Sequence, residues 1–147
     1  MLRNIDPLLS PELLRVLRAM GHGDEIVIAD ANFPGEAMAR ELIRLDGIDA
    51  PRVAKAVLSV MPLDSFVEDR AVSMQVVGDP EALPPVVAGF QQIVDGIADN
   101  PAPIVSLERF AFYERAKQAF AVIQTGETRV YGNLIVKKGV ISPVADG

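Results

Sequence analysis

Between Glu25 and Asp30 the residues Ile26-Val27-Ile28-Ala29 are apolar without a break. A strand with one wet face alternates apolar and polar side chains. An unbroken run of this kind suits a strand covered on both faces, as in a parallel sheet between helices. The residues ahead of the run fit the same picture. Ser10-Pro11-Glu12 reads as a helix start, with a hydroxyl N-cap, proline at the first helical position and a carboxylate at the positive dipole end. Leu13, Leu14, Leu17 and Met20 then recur at helical spacing, and Gly21 and Gly23 close the helix just before the strand Glu25–Ala29.

The alternation continues along the chain. Residues Glu36–Arg44 and Pro51–Val60 read as helices, Val72–Val77 as a strand, and Pro84–Ala98 as a longer helix with two prolines in its first turn. Ile104-Val105 reads as a short strand and a helix falls within Leu107–Lys117. Phe120–Gln124 is a strand, Thr125–Thr128 a turn and Leu134–Val136 a last strand. Strands alternating with helices of about ten residues predict an α/β fold. The expected architecture has three layers, a mostly parallel sheet with helices on both faces, in one domain over residues 1–147.

Composition removes several kinds of chemistry. The 147 residues include no Cys, no Trp and one His, His22. Without Cys there is no disulfide framework, thiolate zinc site or thiol nucleophile. One imidazole cannot supply a site that needs two or three. Lys and Arg number 14 against 20 Asp and Glu, a net charge of −6, which argues against a nucleic-acid surface. No apolar run approaches the twenty or so residues of a membrane span, and the start lacks the apolar core of a signal peptide. The expectation is a soluble, cytoplasmic protein without membrane or nucleic-acid partners.

Two residues carry most of the chemical interest. Asp30 ends the first strand, where open α/β sheets bind ligands. Its carboxylate can accept hydrogen bonds from ligand hydroxyls, or it can cap the following turn, as Asp often does. His22 stands between two glycines after a helix. An imidazole titrates near ~6.5 and can both give and take a proton at neutral pH. It can equally cap the helix C-terminus, a stabilising role in its own right and the stronger reading on these residues alone. A metal site from His22, Asp24, Glu25 and Asp30 is disfavoured, because Asp24 and Glu25 point to opposite faces of an extended chain. Tyr131-Gly132-Asn133 offers a hydroxyl and an amide, groups that recognise polyols, although the same residues are ordinary turn chemistry. Phe110, Phe112 and Phe120 are expected in the core. There is no glycine-rich phosphate loop and no Gly-x-Ser-x-Gly elbow.

Several strings recur together: Ser10-Pro11-Glu12-Leu13-Leu14, Met20-Gly21-His22-Gly23-Asp24-Glu25-Ile26, Asp30-Ala31-Asn32-Phe33-Pro34 and Leu63-Asp64-Ser65. With them come Arg109-Phe110-Ala111-Phe112-Tyr113-Glu114-Arg115-Ala116, Thr125-Gly126-Glu127, Tyr131-Gly132-Asn133 and Lys137-Lys138-Gly139-Val140. In this order, over nearly the whole chain, they resemble the ribose-pyranase/fucose-mutarotase family, more closely its fucose mutarotase branch. The tail Ile141 to Gly147 carries no matching string.

The resemblance implies a monosaccharide mutarotase, an isomerase that uses no cofactor and no metal. It implies that His22 transfers protons. Asp30, Arg109, Tyr131, Gly132 and Asn133 would hold sugar hydroxyls, with Tyr113 a weaker carry-over. It further implies a homo-oligomer, commonly a decameric ring, with sites near subunit contacts. A ribose-type pyranase would use the same ring-opening step, and a non-catalytic sugar-binding or transport accessory protein is the alternative from another class. The enzyme reading requires His22, Asp30, Arg109 and Tyr131 to meet in one cleft, within one chain or with a neighbouring chain completing it.

Overall fold

The structure, a computed structural model, describes residues 1–143. Its elements are α1 (Pro11–Ala19), β1 (Glu25–Ala29), α2 (Gly35–Met38), β2 (Leu42–Leu45), α3 (Ala50–Leu58) and β3 (Ala71–Met74). They continue with α4 (Pro85–Ile97), β4 (Val105–Leu107), α5 (Arg109–Gln118), β5 (Ala121–Thr125) and β6 (Leu134–Lys137). The tail residues 144–147 lie outside the described residues.

The first helix begins as its sequence requires: Ser10 Oγ accepts from the Leu13 N–H at 3.2 Å and Pro11 occupies the first turn. The strand β1 then divides its side chains between two cores. Ile26 and Ile28 pack with Leu13, Val16, Val53, Val57 and Phe90 from α1, α3 and α4. Val27 and Ala29 face the other way, onto Phe112 and Ala116 of α5. Both faces are therefore dry, which is why the run has no polar interruption. The helices on the two sides complete the three layers.

Six strands form one sheet in the order β2-β5-β1-β6-β3-β4. The pairs β2–β5, β5–β1 and β3–β4 are parallel, while β6 runs antiparallel to both β1 and β3. Five strands thus point one way and β6 alone points the other. The carboxyl ends of β1, β3 and β4 share one end of the sheet with the start of β6. The start of β1 and the finish of β6 share the opposite end. At that opposite end Arg115 of α5 clamps the entry to β1, donating from Nη2 to Glu25 at 2.6 Å and from Nη1 to Asp69 at 2.9 Å.

Residues 36–44 are not one helix. α2 is a single turn, Ala39 is extended (φ −72°, ψ 138°), and Leu42–Leu45 add an edge strand parallel to β5. Met38, Leu42 and Leu45 stand at helical spacing, which in a strand puts Leu42 and Leu45 on opposite faces. The open edge of β5 decides, because Leu42–Leu45 find backbone partners opposite Val122–Thr125. Phe110 is a second correction. Phe112 is fully buried and Phe120 packs partly against the core, but Phe110 is 65% exposed. The buried face of α5 carries Phe112 and Ala116, four residues apart, and a side chain two positions from Phe112 points away from it.

Candidate active site

A cleft of about 340 Å³ lies across the carboxyl ends of β1, β3 and β4 and the start of β6. It is lined by Asp30, Arg109, Tyr131 and Asn133, together with Phe33, Met74, Val77 and Tyr113. The topology explains the meeting. β1 delivers Asp30, β3 delivers Met74, and the turn after β4 delivers Arg109 at the head of α5. Because β6 runs backwards, Tyr131–Asn133 enter it at this same end.

Asp30 is built in from several sides. Its side chain is buried, Oδ1 accepts from the Asn32 N–H at 3.0 Å, and Oδ2 accepts from Asn133 Nδ2 at 3.1 Å. The Asp30 N–H in turn donates to Asn133 Oδ1 at 2.8 Å. That bond settles which way the Asn133 amide faces. Asp30 therefore does cap its own turn, and the same carboxylate lines the cleft. Its carbonyl accepts from Gln124 Nε2 at 2.5 Å and the Ala29 carbonyl accepts from Thr125 Oγ1 at 2.7 Å, so β5 braces the end of β1.

Gly132 does not line the cleft with a side chain. It shapes the turn instead, and a Cβ there would stand 2.8 Å from Glu127 Cγ and 3.2 Å from Arg129 O. Glu127 is buried and held by Arg129 at 2.6 Å, so it has little room to yield. Gly132→Ala should therefore cost about 1–3 kcal/mol and misplace Asn133. Urea unfolding and sugar titration of the variant would measure the two effects.

Burial pushes the Asp30 carboxyl above its usual range, and the hydrogen bonds from Asn32, Asn133, Gly132 and Phe33 only partly offset this. The native state thus binds this proton more tightly than the unfolded chain does. Its contribution to stability is present in acid and is lost as pH rises through the folded pKa. Asp69 behaves oppositely. The Arg115 hydrogen bond holds it below the usual range, so its contribution is present above about pH 4 and fails as pH falls through its own depressed pKa. Ligand binding that needs ionised Asp30 should consequently weaken in mild acid while the fold persists. Parallel titrations of sugar affinity and circular dichroism should separate, with affinity falling first.

The remaining cleft residues combine polar tips with apolar faces. Tyr131 sits in the left-handed region (φ 63°), uncommon for a residue with a side chain, and its hydroxyl accepts from the Val77 N–H at 3.1 Å. That leaves the phenolic proton free to donate. Glu108 caps α5 by accepting from the N–H groups of Phe110 and Ala111. The Arg109 guanidinium lies 5.1 Å from the Phe110 ring centre and 5.7 Å from that of Tyr113. Phe33 packs edge-on to Tyr113 at 5.7 Å. An acid oxygen, an amide, a guanidinium and a hydroxyl beside apolar walls can hold a small polyol by its hydroxyls. Asn32 and Phe33 lie in the string that begins at Asp30, but Met74 and Val77 had no distinguishing pattern in the sequence, since strand ends of this composition are common.

His22 is not in this cleft. It precedes β1 whereas Asp30 follows it, and the five residues of β1 put about 13 Å of strand between the two ends. The helix-cap reading fails as well. The last carbonyls of α1 are satisfied by Lys138, whose Nζ donates to Leu17 O at 2.7 Å and Met20 O at 2.5 Å. The imidazole instead meets Asp64, with Nε2 3.0 Å from Oδ1, and its side chain is 43% exposed. Gly23, at φ 90°, turns the chain out of the loop, and its N–H donates to the Lys138 carbonyl at 2.8 Å. The separation of His22 from Asp30 also dissolves the four-residue metal set, and among the described residues no three His, Asp or Glu side chains are grouped to hold an ion. No helix among them is long and apolar enough to cross a membrane.

Comparison with known proteins bears on this arrangement. The model of the RbsD / FucU transport protein family matches residues 3–141. The fucose mutarotase of Bos taurus is 48% identical over 148 residues, covering 97% of this chain and 95% of the relative. A crystal structure of the fucose mutarotase from Streptococcus pneumoniae in complex with L-fucose superposes with a TM-score of 0.89 at 43% identity, covering 96% of this chain and 100% of that one. The Bacillus subtilis RbsD complexed with D-ribose shares the fold, with a TM-score of 0.74 at 23% identity over 97% of this chain and 100% of the other.

Proposed function

The chain belongs to the RbsD / FucU transport protein family, and from that premise we propose that it is an L-fucose-type mutarotase, an isomerase that interconverts the α and β anomers. The observation that carries the reading is the convergence of Asp30, Arg109, Tyr131 and Asn133 on one cleft. The fucose type is favoured over the ribose type because the fucose mutarotase relatives stand at 41–48% identity and the ribose-bound one at 23%.

Anomer exchange moves protons and nothing else. A proton delivered to the ring oxygen lets the bond from that oxygen to the anomeric carbon break. The anomeric hydroxyl gives its proton to Asp30, Tyr131 or a bound water as the aldehyde forms. Rotation of the aldehyde and reclosure on its other face return both protons, so no electrons are gained or lost and no cofactor or metal is called for. His22 gives the proton to the ring oxygen on opening and recovers it on closure. Asp30, Arg109, Tyr131 and Asn133 orient the sugar by its hydroxyls, and Gly132 shapes the turn that carries the last two.

One chain cannot do this alone, because its His22 lies at the far end of β1 from its own cleft. A neighbouring copy supplies the imidazole. Exposed apolar side chains flank both ends that must meet: Val77, Phe110 and Val130 around the cleft and Phe66 beside His22, at 61%, 65%, 63% and 70% exposure. A head-to-tail contact of this kind propagates from copy to copy and makes a ring when its rotation closes. The assembly is a homo-oligomer, a decameric ring, working in the cytoplasm on a free monosaccharide.

Polarimetry tests the activity. Freshly dissolved α-L-fucose relaxes to its equilibrium rotation slowly on its own, and catalytic amounts of the protein should speed that relaxation severalfold or more. A relaxation unchanged by the protein at any concentration would overturn the reading.

A further inference from the structure

From the geometry around His22 we propose that Asp64 is its positioning residue, holding Nε2–H so that the neutral ring is the Nε2–H tautomer and Nδ1 is the nitrogen that exchanges protons with the sugar. The proposal rests on the reading of His22 as the proton-transfer group.

The two side chains differ in burial: that of Asp64 is 2% exposed and that of His22 is 43% exposed. The ring is therefore held at Nε2 by a buried carboxylate while much of the imidazole stays exposed. Asp64 Oδ1 lies 3.0 Å from Nε2 and also accepts from the N–H groups of Ser65 at 2.9 Å and Phe66 at 3.3 Å. Burial alone pushes this carboxyl up, but the hydrogen bonds from Phe66, His22 and Ser65 more than offset it and hold it below the usual range. An ionised carboxylate has acceptors only, so the shared proton resides on Nε2. The same carboxylate still accepts from Nε2–H after Nδ1 takes up a proton.

The grip does not depend on a loose loop. The Asp64 N–H donates to the Lys137 carbonyl at 3.0 Å, and Leu63 bridges Lys138, whose carbonyl accepts from Gly23. Both partners are thus pinned to the end of β6. Gly139 fits against Asp64 so closely that a Cβ there would lie 2.8 Å from Asp64 Cα. The Phe66 ring covers one side of the imidazole, with centres 4.9 Å apart and planes inclined by 54°. This leaves Nδ1 as the exit for the proton.

A carboxylate that merely capped the Ser65–Phe66 turn would give the same fold, so the test must see the ring itself. With 15N-labelled histidine the chain contains one imidazole, read by solid-state 15N NMR in mildly alkaline buffer. The expected spectrum has a protonated Nε2 and a bare Nδ1. A protonated Nδ1, or an even mixture, would overturn the proposal, and this measurement needs no variant. Asp64→Asn keeps an oxygen for the two N–H groups and removes the charge. It should lower kcat for L-fucose exchange by about 10–100-fold with KM little changed. An unaltered kcat in Asp64→Asn, alongside an inactive His22→Ala, would overturn the role of Asp64 alone. Full activity in His22→Ala would instead overturn the catalytic reading of His22, and the 15N spectrum would still report the tautomer.

Discussion

Replacing His22 with alanine should slow anomer exchange by about 10²–10⁴-fold, the share that a positioned acid–base group contributes, and leave the fold in place. The expectation is sharp because this is the only histidine in the chain. No second imidazole can stand in for it. The fold should survive because the ring sits half exposed between two glycines, and Asp64 keeps its hydrogen bonds from Ser65 and Phe66 when the ring is gone. Sugar affinity should change little, since the residues read as holding the hydroxyls lie in the cleft at the other end of β1. Exchange kinetics, a binding isotherm and circular dichroism on the one variant check all three. An active His22→Ala protein would remove histidine from the mechanism.

The second large effect concerns where the site is assembled. Arg109→Ala should also be inactive, and it too should fold. The Arg109 guanidinium lies over the Phe110 and Tyr113 rings and forms no ion pair among the described residues. If each cleft takes its imidazole from a neighbouring copy, co-expressing the two inactive variants should restore activity. A site is whole when a chain with intact Arg109 meets one with intact His22. Random assortment of equal amounts makes roughly a quarter of the sites whole. A site confined to one chain would give no recovery at any ratio.

Much of this arrangement was legible in the residues, and the places where it was not have definite causes. The Ser10-Pro11 helix start and the doubly covered β1 follow from local rules, because capping and burial act over a few residues. Leu42–Leu45 was not legible as a strand, since its spacing suits a helix and only the edge of β5 decides the matter. That β6 runs against its neighbours is likewise a fact of tertiary pairing. It is also what brings Tyr131–Asn133 to Asp30. The membership of the cleft was foreseen for Asp30, Arg109, Tyr131 and Asn133. Its apolar wall was not, because Met74 and Val77 resemble any other core or loop residues until the chain folds. The partner of His22 was hidden for the same reason. Asp64 is 42 residues away, and nothing in Leu63-Asp64-Ser65 indicates a contact at that distance. Yet the distance of His22 from Asp30 was implicit from the start, since a strand covered on both faces keeps its two ends apart.

The most direct measurement is saturation transfer between the two anomeric-proton NMR signals of L-fucose, D-ribose and D-galactose, each with and without catalytic amounts of the protein. The expected result is that exchange accelerates for L-fucose above the other two and that the acceleration disappears in His22→Ala. Exchange at the uncatalysed rate for all three sugars, with the wild-type protein folded and binding them, would contradict it and leave a sugar-binding protein without catalysis.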